Sequence, residues 1–82
     1  MSSCVYMLRC KDGTFYIGST KDLERRVREH NEGRNGARYT RARRPVELVY
    51  SEECESWSAA LKREWELKQL KRSEKMILLK KK

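Results

Sequence analysis

The chain has 82 residues, and 20 Lys+Arg against 12 Asp+Glu give it a formal charge of +8. That length is expected to form one domain over residues 1–82, which excludes a two-domain enzyme, and the basic balance excludes an acidic disordered tail. At this size only about 60% of the unfolded surface can be buried, so a hydrophobic content of 38% predicts a modest core.

The opening Met1-Ser2-Ser3-Cys4-Val5-Tyr6 lacks the charged start and long apolar stretch of a secretion signal, and no run of 18 apolar residues follows anywhere. A soluble, cytoplasmic protein is expected. Cys4, Cys10 and Cys54 cannot pair completely, lack CxxC spacing, and have a single histidine in the chain to join them, so they fit a reducing compartment and small buried hydrophobes rather than zinc.

Cys4 to Cys10 and Thr14 to Thr20 are rich in Val, Tyr, Phe, Ile and Thr around the turn signal Lys11-Asp12-Gly13, which predicts a β-hairpin. Turn length decides which side chains meet, because opposite residues in an antiparallel pair keep a constant index sum. A two-residue Asp12-Gly13 turn gives a sum of 25 and puts Tyr6 and Tyr16 on opposite faces, whereas the expected three-residue loop, closed by Gly13 in the left-handed conformation, gives 24. Tyr16 then faces Leu8 and Tyr6 faces Gly18, on one common face.

Asp22 or Thr20 is expected to cap a helix running to about Asn31, with Leu23, Val27 and His30 on its apolar stripe, Arg26 on the border, and Gly33 as its stop. Residues 34–44 carry five Arg and no acid and read as a loop. Val46–Tyr50 reads as a third strand, entered through Pro45 where a missing N–H does least harm. Ser56 or Ser58 then caps a helix to about Lys71, with Trp57, Ala60, Leu61 and Leu67 on one side; Trp57 and Trp65 are assigned to the core. Glu64 falls in the middle of that stripe, an anomalous place for a carboxylate. Ser73 is expected to cap a last helix carrying Met76, Ile77, Leu78 and Leu79. The order ββα-βαα gives an α+β domain with a small three-stranded antiparallel sheet flanked by helices.

Most enzyme classes drop out. The chain has no Asp-x-Asp cluster, no Gly-rich loop ending in Lys-Ser/Thr, no paired histidines, and no Ser-His-Asp set. What remains is Tyr6, Tyr16, Arg26, His30 and Glu64, each directed off a regular element toward one shared side.

Val5-Tyr6, Tyr16-Ile17-Gly18-Ser19-Thr20, and Asp22-Leu23-Glu24-Arg25-Arg26-Val27 with His30 one turn later and an inward Glu64 together resemble the GIY-YIG nuclease superfamily. Gly36-Ala37-Arg38-Tyr39-Thr40 and Arg43-Arg44-Pro45-Val46 resemble its small stand-alone YhbQ-like branch. The likeness covers essentially the whole chain. It implies a hydrolase, an endonuclease that cuts phosphodiester bonds with one Mg²⁺ or Mn²⁺, acting on DNA with branched or repair intermediates among its substrates; the choice between DNA and RNA stays open, and a protein partner is a further source of substrate recognition. The competing reading is a nucleic-acid-binding module with weak or lost catalysis.

The implied roles have a physical logic. Glu64 would hold the metal, since a hard Mg²⁺ accepts one carboxylate and keeps waters and a phosphate oxygen; the plain alternative is an ion pair with Lys68 at i+4. Arg26 would neutralise charge building on the phosphate, or else be a solvated helix arginine. Tyr6 would activate water with help from cations or from His30, and Tyr16 would position, although strand tyrosines are ordinarily only sheet aromatics. Gly18 would leave room for the phosphate backbone, or mark a bulge. Arg34, Arg38, Arg41, Arg43 and Arg44 would track phosphates, with Tyr39 offering a stacking face. The sequence departs from the family pattern in reading Cys4-Val5-Tyr6 for Gly-Ile-Tyr, in having Ser19 where some relatives carry Lys, and in lacking an Asn after Glu64. Lys68, Arg72 or Lys75 would stand in for that Asn at the phosphate.

Overall fold

The computed structural model describes residues 3–33 and 38–80. The elements run β1 (Ser3–Arg9), β2 (Phe15–Thr20), α1 (Leu23–Glu32), α2 (Arg38–Arg41), β3 (Glu47–Cys54), α3 (Trp57–Lys68) and α4 (Arg72–Lys80). The expected α+β class and antiparallel sheet are what the chain forms, with one addition: the Arg-rich segment, read as loop, contains the single turn α2.

β1 is the middle strand of the order β2-β1-β3, so both of its edges are paired, and packed side chains cover both of its faces. Val5 and Met7 meet Ile17 and Leu67 on one face, under α3 and α4. Tyr6 and Leu8 meet Cys10 and Val46 on the other, with Tyr16 and the α1 residues Leu23 and Val27 packed against them. The period-2 alternation of a strand therefore sorts odd and even residues of β1 and β2 into two separate cores.

The hairpin register is the even one. Leu8 pairs with Tyr16 and Tyr6 with Gly18. Gly13 N–H donates to the Cys10 carbonyl at 2.9 Å, Cys10 N–H to the Thr14 carbonyl at 2.8 Å, and Gly13 sits at φ 85. A residue with a Cβ would be strained there. β3 extends four residues beyond the predicted Tyr50 because Glu52 and Glu53 continue the ladder against Val5 and Cys4. Its register shifts between Met7 and Leu8, which leaves Val49 as the extra residue of a bulge.

Helix ends follow side-chain chemistry. Asp22 caps α1 by accepting from the Arg25 N–H, and Ser56 caps α3 by accepting from the Ala59 N–H. α4 begins one residue before the expected Ser73 cap. The Glu74 carboxylate reaches back to the Lys71 N–H at 2.7 Å, which is half of a capping box.

Two core assignments change. α3 buries only Ala60 and Leu67, while Trp57, Leu61 and Trp65 are exposed, Trp65 to 64%. A 12-residue helix on a three-stranded sheet covers a narrow stripe. Trp65 lies five positions from Ala60, about 140° around the helix, and faces away. Of the cysteines, Cys10 is buried, but Cys4 and Cys54 are partly accessible. Among the described residues no helix is long and apolar enough to cross a membrane.

Candidate active site

Tyr6 is the buried centre of the site. Its ring lies across Gly18, where a Cβ would stand 2.6 Å from the Tyr6 hydroxyl oxygen and 2.8 Å from the ring carbon that bears it. The gap that sequence reasoning reserved for a phosphate backbone is filled by the protein's own phenol. Gly18 is thus required by Tyr6, its cross-strand partner.

The Tyr6 hydroxyl lies 2.7 Å from His30 Nε2, and His30 Nδ1 lies 2.8 Å from Thr40 Oγ1. Tyr6, His30 and Thr40 are all essentially buried. With the proton on Nδ1, His30 donates to Thr40 and leaves Nε2 to accept from Tyr6. Burial, with the Arg26 charge nearby, pulls His30 down to about 4. Burial also pushes Tyr6 up to about 12, against the pull of Arg26 beside its hydroxyl. The chain of three side chains is therefore neutral across the physiological range, a phenol hydrogen-bonded to an imidazole. Tyr16 stacks on the same assembly, its ring centroid 6.5 Å from Tyr6, 5.1 Å from His30 and 6.1 Å from Tyr39.

Arg26 projects from α1 into a cleft of about 280 Å³ lined by Thr20, Lys21, Asp22, Arg25 and Glu29. Glu29 Oε1 holds its Nη1 at 3.1 Å. A partly exposed guanidinium is thereby held beside the Tyr6 hydroxyl.

Glu64 arrives from the opposite layer. The expectation that all five groups leave their elements toward one side needs correcting: Tyr6, Tyr16, Arg26 and His30 belong to the α1 face, and Glu64 to the α3 face. They converge because β2 is an edge strand. Ser19, on the α3 face of β2, donates to Glu64 Oε1 at 2.6 Å and to the Ala60 carbonyl at 3.3 Å. Lys68 Nζ donates to Glu64 Oε2 at 2.7 Å. The carboxylate is close enough for its charge to act on Tyr6 across the strand edge. Glu64 is thus ion-paired with Lys68 and at the same time stands at the rim of the tyrosine site.

Among the described residues no group of three or more His, Cys, Asp and Glu side chains could hold a metal. A single carboxylate suits Mg²⁺, which favours oxygen donors and fills its remaining positions with water and phosphate. It does not suit zinc, which takes nitrogen and sulfur ligands in a closed set.

The basic residues divide by task. Arg44 is committed to the fold, donating to the carbonyls of His30 at 2.6 Å, Gly33 at 2.6 Å and Glu29 at 3.2 Å, and so closing the C-terminus of α1. Arg43 donates to Asp12 Oδ2 and to the Tyr39 carbonyl, both at 3.0 Å. Arg72 donates to the Gly13 carbonyl at 2.8 Å. Arg38 and Arg41 are exposed on α2, Lys68 and Lys75 flank the edge of β2, and Arg34 lies outside the described residues.

Sequence reasoning missed Ser19, Thr40 and Asn31. Asn31 clamps Val46 through both its amide groups, accepting from Val46 N–H at 2.7 Å and donating to its carbonyl at 3.0 Å, which fixes the start of β3 beneath His30. Ser19 carried no signal of its own, since the sequence does not say which face of β2 the helix bearing Glu64 covers. Thr40 carried no signal, because nothing in a run of arginines says which residue turns inward.

Comparison with known proteins accords with this geometry. The model of the GIY-YIG catalytic domain matches residues 2–77. A UPF0213 protein of Desulfotalea psychrophila is 53% identical over 76 residues, covering 93% of this chain and 69% of its own length. One from Staphylococcus saprophyticus is 49% identical over 75 residues, covering 92% and 90%. Among solved structures, the solution NMR structure of a UPF0213 protein from Bacillus halodurans superposes with a TM-score of 0.64 at 41% identity, covering 100% of this chain and 86% of that one. The solution NMR structure of a protein from E. faecalis gives 0.65 at 46% identity, covering 99% and 85%.

Proposed function

The chain belongs to the GIY-YIG family, with UPF0213 proteins as its relatives, and on that premise we propose that it is a metal-dependent endonuclease hydrolysing phosphodiester bonds in DNA, branched or repair intermediates included. The observation that carries the proposal is the Tyr6–His30–Thr40 chain standing beside Arg26, with Glu64 near enough for its charge to act on Tyr6. Those are the parts an in-line displacement at phosphorus requires: a proton path, a fixed cation and a carboxylate.

The proton path is constrained by burial. Burial holds Tyr6 above and His30 below their ordinary values, so complete transfer of the proton between them is strongly uphill at rest. A standing phenolate is therefore no part of the resting site. The lower-energy route is concerted: the Tyr6 oxygen accepts a proton from the attacking water as its own proton passes to Nε2 of His30. Thr40 holds the imidazole in the tautomer that makes Nε2 the acceptor. Arg26, permanently charged, stabilises both the phenolate character passing through Tyr6 and the extra charge on the phosphate oxygens. Tyr16, stacked between Tyr6 and Tyr39, orients its hydroxyl toward the incoming strand.

Glu64 would hold Mg²⁺ or Mn²⁺, which when bound polarises the phosphate and steadies the leaving oxygen. Ser19 keeps Oε1 oriented, and Lys68 exchanges its hold on Oε2 for a phosphate of the substrate. Arg38, Arg41 and Lys75 supply the remaining phosphate contacts.

One observation favours the second reading, a nucleic-acid-binding module with weak catalysis that works beside a protein partner: both Glu64 oxygens already have partners within the chain. Cleavage of single-stranded, duplex, flap and junction oligonucleotides, with Mg²⁺, with Mn²⁺ and with chelator, separates the two. Metal-dependent scission of at least one substrate is expected. Binding without scission under every condition would leave the module.

A further inference from the structure

A second concavity lies on the outer edge of β2. It holds about 210 Å³ and is lined by Phe15, Tyr16, Ile17, Tyr39, Lys68 and Lys75. Pockets that take whole drug-sized ligands are larger, about 300–1,000 Å³, so this one fits a single planar ring system. Its walls are aromatic and aliphatic, and Lys68 and Lys75 bring two ammonium groups to them.

Two of those walls are braced by arginines. The Arg43 guanidinium carbon lies 3.8 Å from the centroid of the Tyr39 ring, and Arg43 is itself fixed by Asp12 and by the Tyr39 carbonyl. The Arg72 guanidinium carbon lies 5.1 Å from the Phe15 centroid, and Arg72 is fixed by the Gly13 carbonyl. Both rings are therefore held in place before anything binds, which removes the ordering cost that a mobile aromatic would incur. The hairpin turn and α2 thus do more than connect: each anchors an arginine that supports one wall.

Position supplies the rest. Tyr16 belongs both to this cleft and to the Tyr6–His30 assembly. Lys68 lines the cleft and touches Glu64 at 2.7 Å. A strand whose phosphate sits at Glu64 brings a neighbouring nucleotide to the mouth of the cleft.

We propose that this cleft is a nucleobase subsite: it takes one base, out of the stack, from the nucleotide flanking the scissile phosphate, seated against Tyr39 and Tyr16 while Lys68 and Lys75 hold that nucleotide's phosphates. The inference rests on the nuclease reading and adds substrate selection to it. A base inside a duplex has both faces covered by its neighbours, and extruding it costs a few kcal/mol, least where the nucleotide is unpaired. Scission is directed to phosphates next to an unpaired or bulged nucleotide. Stacking on an aromatic ring accepts every base, so the subsite selects structure rather than sequence.

The test uses the full chain carrying Glu64→Gln, with oligonucleotides in which a single abasic residue or a single 2-aminopurine is moved stepwise along the strand. Expected are quenching of 2-aminopurine at one position only, and a roughly five- to hundred-fold weaker Kd when that position is abasic. Tyr39→Ala should erase this abasic penalty and Tyr39→Phe should keep it, which separates loss of stacking from loss of fold. An abasic residue tolerated at every position, or a Tyr39→Ala variant that weakens intact and abasic strands alike, overturns the subsite. Scission by the wild-type chain is scored separately. Cleavage without any abasic penalty removes the subsite and leaves the nuclease, whereas a positional penalty in a chain that never cleaves retains base binding and removes the nuclease.

Discussion

His30 makes the stability of this protein depend on pH between about 4 and 6.5. It is buried, hydrogen-bonded at both nitrogens and neutral, with its pKa pulled down to about 4, largely by burial. In the unfolded chain it titrates near 6.5. Below that value the unfolded state takes up a proton that the native state refuses, so stability is full above about pH 6.5 and falls until about pH 4, where the folded form protonates too. The whole window amounts to about 3 kcal/mol, and lowering the pH from 7 to 5 should cost about 2 kcal/mol. For a domain of this size that is a fall in Tm of roughly 10 °C. Urea unfolding at the two pH values measures it, with His30→Gln as the control that keeps a neutral polar side chain and cannot titrate. Asp12, Glu29 and Glu52, all held below the usual carboxylate range by hydrogen bonds from Thr14, Arg26 and Arg63 respectively, lose their contributions at lower pH and in both proteins alike. Equal losses in wild type and His30→Gln between pH 7 and 5, or an imidazole resonance that titrates near 6.5, would show that His30 is not held neutral by the fold.

Gly18→Ala should drive the Tyr6 hydroxyl off His30, because the added Cβ would stand 2.6 Å from it; a fall of about 1–3 kcal/mol in unfolding free energy together with abolished scission is expected, and unchanged stability would deny the close approach. Arg44→Met removes a charged donor from three carbonyls and should destabilise by about 1.5–3 kcal/mol while leaving the salt dependence of nucleic-acid binding alone. Arg38→Ala and Arg41→Ala should act on binding instead, each flattening the slope of log K against log salt by about 0.9 on duplex for one phosphate no longer neutralised. Equal slopes in wild type and the double variant would mean that α2 does not face the strand.

Much of this was legible because the informative elements are local. The parity rule left two hairpin registers open, and the need for both tyrosines on one face chose the even one, in which the fold pairs Tyr6 with Gly18 and Tyr16 with Leu8. α1 followed from Asp22 and the spacing of Leu23, Val27 and His30. The illegible parts depended on how layers stack. The angular stripe of α3 could identify Glu64 as out of place, but could not say which sheet face the helix would cover. The two tryptophans were accordingly assigned to a core that a three-stranded sheet is too narrow to provide. The arginine run was equally opaque. Composition counted five like charges, whereas the fold gives Arg44 to a helix terminus and Arg43 to the ring of Tyr39, leaving Arg38 and Arg41 exposed on α2.

In the proposed mechanism, phosphodiester hydrolysis at the edge of β2 depends on the carboxylate that meets the tyrosine–histidine chain there. Its decisive test is single-turnover scission of an end-labelled oligonucleotide by wild type and Glu64→Gln, in Mg²⁺ and with binding measured in parallel. A fall in rate on the order of a thousand-fold or more is expected in the variant, with Kd changed by less than about ten-fold and thermal unfolding unaltered. Scission by Glu64→Gln at the wild-type rate would rule the mechanism out.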